Sequence, residues 1–179
     1  MKSTPFKSTL LKLLVFIKNV SFVAFSFLLF SCSPEDDGIY FEHSTNEIVL
    51  TKTTYSEMES EILRLVNAHR ESINLSKLDL MEAISSEANE HTSYMISEGQ
   101  ASHDNFSQRA QNLITYSNAK AVGENVAYGY TTPHGVVNGW LDSASHRKVI
   151  ENPNFTYFGV SMKSDSKGKN YFTHIFISK

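Results

Sequence analysis

The chain has 179 residues, 41% of them hydrophobic, and a formal net charge of −3 at pH 7. That length gives one domain plus appendages, and the apolar share is enough for a core without covalent staples. The weak acidic balance and the lack of a basic block exclude an electrostatic footprint for nucleic acid, which is not expected as a partner.

The first 32 residues differ in kind from the rest. Lys2, Lys7, Lys12 and Lys18 precede or interrupt the approach to an apolar run from Val20 to Phe30. That run is far shorter than the about 20 residues a membrane-spanning helix needs. A positive front followed by a short apolar core marks an export signal. The segment closes on Leu29-Phe30-Ser31-Cys32, which resembles the lipobox of bacterial lipoproteins, where the cysteine is acylated and becomes the mature N-terminus. Residues 1–31 are therefore expected to be a lipoprotein signal peptide, with membrane attachment through a lipid on Cys32. Cys32 is the one cysteine in the sequence, so no internal disulfide can form and the domain must hold by its core. Ser33 does not match the aspartate that retains lipoproteins at the inner membrane. The acidic run Glu35-Asp36-Asp37 resembles the surface-export tethers of some diderm bacteria, and reads as readily as a solvated linker. The expected location is the cell envelope of a diderm bacterium, at the outer membrane or the cell surface.

Residues 32–54 read as a tether, with Glu47–Thr51 the one short strand candidate. The domain is expected over residues 55–179. Ser56 and Glu59 have the spacing of a capping box, and Met58, Ile62, Leu65, Val66 and His69 recur at helical spacing to about Arg70, with Asn67 and Arg70 near the polar edge. A second helix is expected from Asp79, with Leu80, Ala83, Ile84, Ala88, His91 and Met95 on one face and Gly99 as its left-handed end. His91 reads as a core histidine with a backbone partner. Ala101–Asn105 is a loop into a third helix, from Phe106 to near Tyr116. Gly123–Gly129 is a short extended segment bounded by glycines. Thr132 caps a fourth helix with Pro133 at its first position, and Val136, Val137, Trp140 and Leu141 face inward. Phe158–Lys163 and Tyr171–Ile177 are strand-like runs joined by a turn-rich loop, a hairpin. Helices first and strands mostly last argue for an antiparallel sheet with helices on its faces rather than parallel βαβ units.

Chemistry, if there is any, runs through His103, Glu124 and His146, which are expected to meet in one cleft. Two imidazoles and a carboxylate from separate elements can bind a divalent ion such as zinc with open positions, or relay protons near neutral pH. Spacing alone demands neither, and Glu124 and His146 read more simply as residues that fix loops through backbone groups. No nucleophile elbow, phosphate-binding glycine loop or paired-cysteine metal site is present. Ser143 and Ser145 lie near His146, but a hydrolytic pair needs an orienting acid and an oxyanion hole. Neither is visible, so Ser143 is read as supporting the turn after the fourth helix. Tyr128, Tyr130, Tyr157, Tyr171 and Phe172 read first as packing residues and second as groove lining.

Several motifs then line up in order. They are Asn67-x-x-Arg70; Ser102-His103 followed by Arg109; Gly123-Glu124-Asn125-Val126-Ala127; Trp140-x-x-Ser143-x-x-His146-Arg147-x-x-Ile150; Phe158-Gly159-Val160; and Tyr171-Phe172-Thr173-x-x-Phe176. From Glu57 to Ser178 the chain resembles the CAP superfamily, the SCP-domain or cysteine-rich secretory protein family, in its short bacterial branch. The resemblance implies an α+β fold, an α-β-α sandwich with a central antiparallel sheet between helical layers. It also implies a cleft lined by histidines and acids that binds zinc in some relatives. His103 matches the first cleft histidine, Glu124 the acid of the Gly-Glu-Asn motif and His146 the histidine of the bacterial branch. Asn125, Arg109, Trp140 and Ser143 take supporting positions. Where long-branch members carry a glutamate and a second histidine, this chain has Ser143 and Tyr171, so their four-residue set is incomplete. His174, beside Thr173, faces into the cleft or away from it.

Family members bind sterols or lipids, engage proteins, and in some reports cleave peptides, so fold does not fix activity. The leading expectation is an envelope or surface lipoprotein that binds a ligand (lipid, glycan or peptide) through the His/Glu cleft without turnover; no catalytic residue is assigned beyond Glu124 as a candidate. One alternative is a metal-assisted hydrolase of envelope peptides, with His103 and His146 on the ion and Glu124 as general base. The other is a protein-interaction module whose polar cluster is structural.

Overall fold

The computed structural model describes residues 54–179 together with the pair Ile39–Tyr40. The expected signal peptide, Cys32 and the Glu47–Thr51 strand candidate lie outside the described residues. In chain order the elements are β1 (Ile39–Tyr40), α1 (Glu57–Ser72), β2 (Asp79–Leu80), α2 (Glu82–Glu98), α3 (Phe106–Ser117), β3 (Ala121–Tyr128), α4 (Pro133–Asp142), α5 (Ala144–Ile150), β4 (Tyr157–Ser164) and β5 (Asn170–Ser178). The strands form one sheet in the order β1-β3-β5-β4-β2.

The expected α+β sandwich is present. β3, β5 and β4 pair antiparallel, and side-chain alternation gives the sheet two apolar faces. On one face Phe158, Val160, Phe172 and Phe176 pack with Ile62, Val66, Val136, Trp140 and Ile150 of α1, α4 and α5. On the other, Val122, Ile175 and Ile177 pack with Ile84, Ala88, Phe106, Ala110 and Leu113 of α2 and α3. A Cβ added to Gly159 would stand 2.6 Å from the Ser85 backbone nitrogen, so α2 approaches β4 as closely as glycine allows.

Local signals act as the sequence suggests. Ser56 Oγ accepts from the Glu59 amide at 3.2 Å, and Glu59 Oε2 accepts from the Ser56 amide at 2.8 Å. Glu59 Oε1 then accepts from Met162 N at 2.8 Å, so one carboxylate caps α1 and holds β4. Gly99 ends α2 at φ 72°, and Thr132 caps α4 with Pro133 behind it.

Three local expectations are corrected. Asp79 and Leu80 do not open a helix. They form β2, parallel to β4, because Asp79 N donates to Thr156 O at 2.9 Å and Met81 N to Phe158 O at 3.2 Å. Asn67 fixes the approach by clamping both backbone groups of Leu78. Arg70 is not at a polar edge but fully buried. Its guanidinium donates to the carbonyls of Ser76 at 2.9 Å, Ile150 at 2.7 Å and Asn152 at 2.9 Å, and so joins three chain segments. The run after α4 is also not merely a turn. Ser143 leaves helical geometry at ψ 122°, and a separate helix, α5, restarts at Ala144 carrying His146.

Candidate functional site

Three elements converge at β3. The loop between α2 and α3 brings Ser102 and His103, α3 brings Arg109, and β3 itself carries Glu124. Among the described residues β1 pairs with β3 at Val122 and Gly123, next to Glu124.

Glu124 has no exposed side-chain surface. Arg109 holds it with two donors, Nε to Oε2 at 2.8 Å and Nη2 to Oε1 at 2.7 Å. His103 Nδ1 donates to Oε1 at 2.9 Å. Burial alone raises a carboxyl pKa, but the hydrogen bonds from His103 and Arg109 and the guanidinium charge outweigh it and hold Glu124 below the ordinary carboxylate range. The acid is therefore held in its anionic form at neutral pH, with both oxygens hydrogen-bonded. Arg109 is fixed in turn by Nη1 donating to Asp104 O at 2.6 Å.

His103 keeps 29% of its side chain exposed. With Nδ1–H turned to the carboxylate, Nε2 is left as the ring nitrogen open to a second partner. The loop behind it is anchored by buried His91, whose Nε2 donates to Ser102 O at 2.7 Å. This is the backbone partner expected for His91, and burial holds that ring below its ordinary pKa.

His146 is carried by α5, on the opposite face of the sheet from Glu124. Successive residues of β3 alternate, so Glu124 faces α3 while Asn125 faces α5. Asn125 Nδ2 donates to His146 O at 3.0 Å. The His146 ring is half-buried, and its pKa is lowered first by that burial and then by the charge of His103.

The expected residues thus divide. His103, Glu124 and Arg109 form one hydrogen-bonded cluster, whereas the hydrogen bond described for His146 is made by its backbone to Asn125, on the other face of the sheet. Trp140 is structural: it is buried, and Nε1 donates to Val126 O at 3.1 Å. Ser143 Oγ lies 3.2 Å from Ser145 Oγ, which supports its reading as a turn residue. Tyr171 and Phe172 are buried packing residues, whereas Tyr128 and Tyr130 are exposed. His174 faces away from Glu124, into the Trp140 side of the core. Glu87 escaped sequence reasoning. It is a further buried acid, on α2, its pKa raised by burial, with Oε1 accepting from Asn112 Nδ2 at 2.9 Å. Its place four residues before His91 on one helix face was the signal for it.

The residues do not fit a zinc centre. Among the described residues no three His, Cys, Asp or Glu side chains stand close enough to hold a metal ion. The carboxylate that would be a ligand already accepts three hydrogen bonds, two from Arg109 and one from His103. The guanidinium supplies the positive charge that an ion would bring to Glu124.

Comparison with known proteins agrees with this architecture. Residues 63–176 match the profile of the cysteine-rich secretory protein family, CAP. The Bacillus subtilis protein YkwD is 34% identical over 122 residues, which is 65% of this chain and 46% of that protein. The B. subtilis membrane protein YlbC is 29% identical over 133 residues, 72% of this chain and 36% of that protein. The chain therefore spans less than half the length of either curated relative. Among solved structures, an outer surface protein of Borrelia burgdorferi superposes with a TM-score of 0.64 at 20% identity, covering 73% of this chain and 99% of that one. An extracellular SCP-domain protein of Bacillus anthracis gives 0.60 at 25% identity, covering 72% and 45%.

Proposed function

The chain belongs to the cysteine-rich secretory protein (CAP) family, and from that premise we propose that it is an envelope or surface lipoprotein whose His103–Glu124–Arg109 cluster, together with His146, binds a ligand without turnover. The export-type N-terminus ending at Cys32 supports the location, as does the likeness to a protein described as extracellular. One observation carries the binding reading: a part-exposed imidazole is fixed in one orientation by a buried carboxylate that arginine has already neutralised. Such a ring presents an oriented nitrogen to a ligand at little entropic cost. Glu124 does not suit the role of general base, because both its oxygens are engaged and shielded.

The test is a panel of phospholipid vesicles, oligosaccharides and peptides, read by the His103 and His146 imidazole resonances. The reading expects a ligand that moves both and is lost in His103→Ala. Binding that leaves both resonances unmoved would overturn it. So would turnover of any panel member that disappears in Glu124→Ala.

A further inference from the structure

The outer edge of β2 borders a hollow that the His103 cluster does not use. β2 ends the sheet beyond β4, and the hollow lies between it and α1, enclosing about 460 Å³. That volume falls in the range of about 300–1,000 Å³ for ligand sites. Leu63 of α1, Leu78 and Phe158 are its buried floor, and Leu80 is a wall with 52% of its surface exposed. Only half of the backbone at this edge is engaged. Asp79 and Met81 turn their amides to β4, so Leu78 and Leu80 turn theirs outward, because successive residues of a strand alternate. The Asn67 side chain takes both backbone groups of Leu78: Nδ2 donates to the carbonyl at 3.0 Å and Oδ1 accepts from the amide at 2.9 Å. A carboxamide thus stands where the peptide group of a next strand would be. At Leu80 the same pair of groups has no partner among the described residues.

Charge sets the direction and the end of the occupant. Arg64 stands one helical turn before Asn67, and Lys77 directly precedes Leu78, so both cations of the hollow lie at the end that Asn67 closes. Ser60, a further turn back along α1, and Tyr55, bonded to Ser85 of α2, are uncharged. The one acid on the lining, Asp79, lies between Leu78 and Leu80 and so points to the other face of the strand. Arg64 and Lys77 are held in exposed pairs, with Glu61 at 2.6 Å and Glu71 at 3.0 Å, and such pairs exchange readily for another carboxylate. An extended chain running antiparallel to β2 passes Leu80 first. It can exchange hydrogen bonds there, but it must stop before Leu78, whose groups Asn67 holds. Its last residue then lies beside Arg64 and Lys77, where a terminal carboxylate is matched. The parallel direction would bring an amino terminus to the same two cations. We propose that the β2 edge and its hollow bind the carboxyl-terminal end of an extended peptide, with one strand-type rung at Leu80 and an apolar side chain over Leu63 and Phe158.

The test titrates the protein with N-acetylated Gly/Ser/Thr peptides that end in Leu, Phe, Val or Tyr, read by calorimetry and by the Leu80 amide resonance. At least one is expected to bind and to move that amide. Amidating its carboxyl terminus should weaken binding about tenfold or more, as should the double variant Arg64→Gln/Lys77→Gln. N-methylation at one of its last three amides should abolish the Leu80 shift, a ligand-side change that leaves the fold untouched. His103→Ala should leave binding unchanged, which separates this site from the ligand cluster proposed above. The assignment is overturned if no peptide binds, if the amidated peptide binds equally well, or if binding survives Arg64→Gln/Lys77→Gln or is lost in His103→Ala. It is also overturned if only oleate moves the Leu80 amide, which would make the occupant an anionic lipid. Movement with protein concentration alone would overturn it too, because the occupant would then be a second copy of the chain.

Discussion

Asn125 stands directly opposite His174 in the β3–β5 ladder, and Asn125 Oδ1 and both ring nitrogens of His174 are buried without a hydrogen-bond partner among the described residues. The imidazole is fully enclosed, with its centre 4.2 Å from that of Phe176, 5.4 Å from Trp140 and 5.5 Å from Phe158. A polar ring in a wholly aromatic setting is held neutral by burial, which pulls its pKa down from 6.5 to about 3. The remaining Asn125 donor reaches His146, so this unsatisfied pair also sits one bond from the candidate site.

His174→Phe is expected to stabilise the protein. It removes two unpaired nitrogens from the core and keeps a ring of similar shape. Relieving that desolvation is worth on the order of 1–3 kcal/mol. Urea denaturation at pH 7.5 checks it through an increase in the midpoint with an unchanged slope.

Acid should destabilise the wild type from the ordinary histidine range downward, with His91 and His146, also depressed, adding to His174. The folded His174 pKa lies below the unfolded one, so its contribution is fully present above about 6.5 and is lost as pH falls toward 3. The limiting slope is about 1.4 kcal/mol per pH unit. Glu124, also depressed, adds its own loss below the ordinary carboxylate range. Melting temperatures measured from pH 8 to 4 should decline through this window, and the decline should be flatter in His174→Phe.

Arg109→Leu leaves the Glu124 anion buried against a single neutral or cationic donor, His103. Breaking a buried pair from one side costs about 3–5 kcal/mol. Combining it with Glu124→Leu should recover much of that loss in a double-mutant cycle. An additive cycle would show that the guanidinium does not neutralise the acid.

Removing His103 should be felt at His146. Since the His103 charge lowers the His146 pKa, His103→Ala should move the His146 titration upward toward the ordinary histidine value. Imidazole proton shifts followed by NMR across pH 5–8 check this directly, with no ligand needed.

Arg70→Met should be among the most damaging substitutions outside the cluster. It strips the buried Ile150 carbonyl and the part-buried Asn152 carbonyl of their guanidinium donor, and an unsatisfied buried group costs about 1–3 kcal/mol. Differential scanning calorimetry should show a large fall in melting temperature while the His103 resonance holds its position.

Much of the architecture was legible because its signals are local. The Ser56–Glu59 capping box, the Thr132-Pro133 start, the Gly99 end and the Phe158–Ile177 hairpin each act within a few residues. The family motifs also brought His103, Arg109 and Glu124 forward before any geometry was known. Asp79–Leu80 misled because its apolar residue fits a helical period, and only the Thr156 and Phe158 backbone groups, far along the chain, make it a strand. Arg70 misled for the opposite reason. A charged residue reads as surface unless distant carbonyls are there to receive it.

The order of residues by itself determined the helices, the hairpin and the family, since capping, turn and periodicity preferences are settled between near neighbours. Folding decided the state of each polar group. It turned Glu124 from a candidate base into a neutralised anchor, left His103 with one oriented nitrogen, and sealed His174 among aromatic rings. Those outcomes depend on which charges and donors share a low-dielectric interior, and residues separated by many positions meet there only in three dimensions.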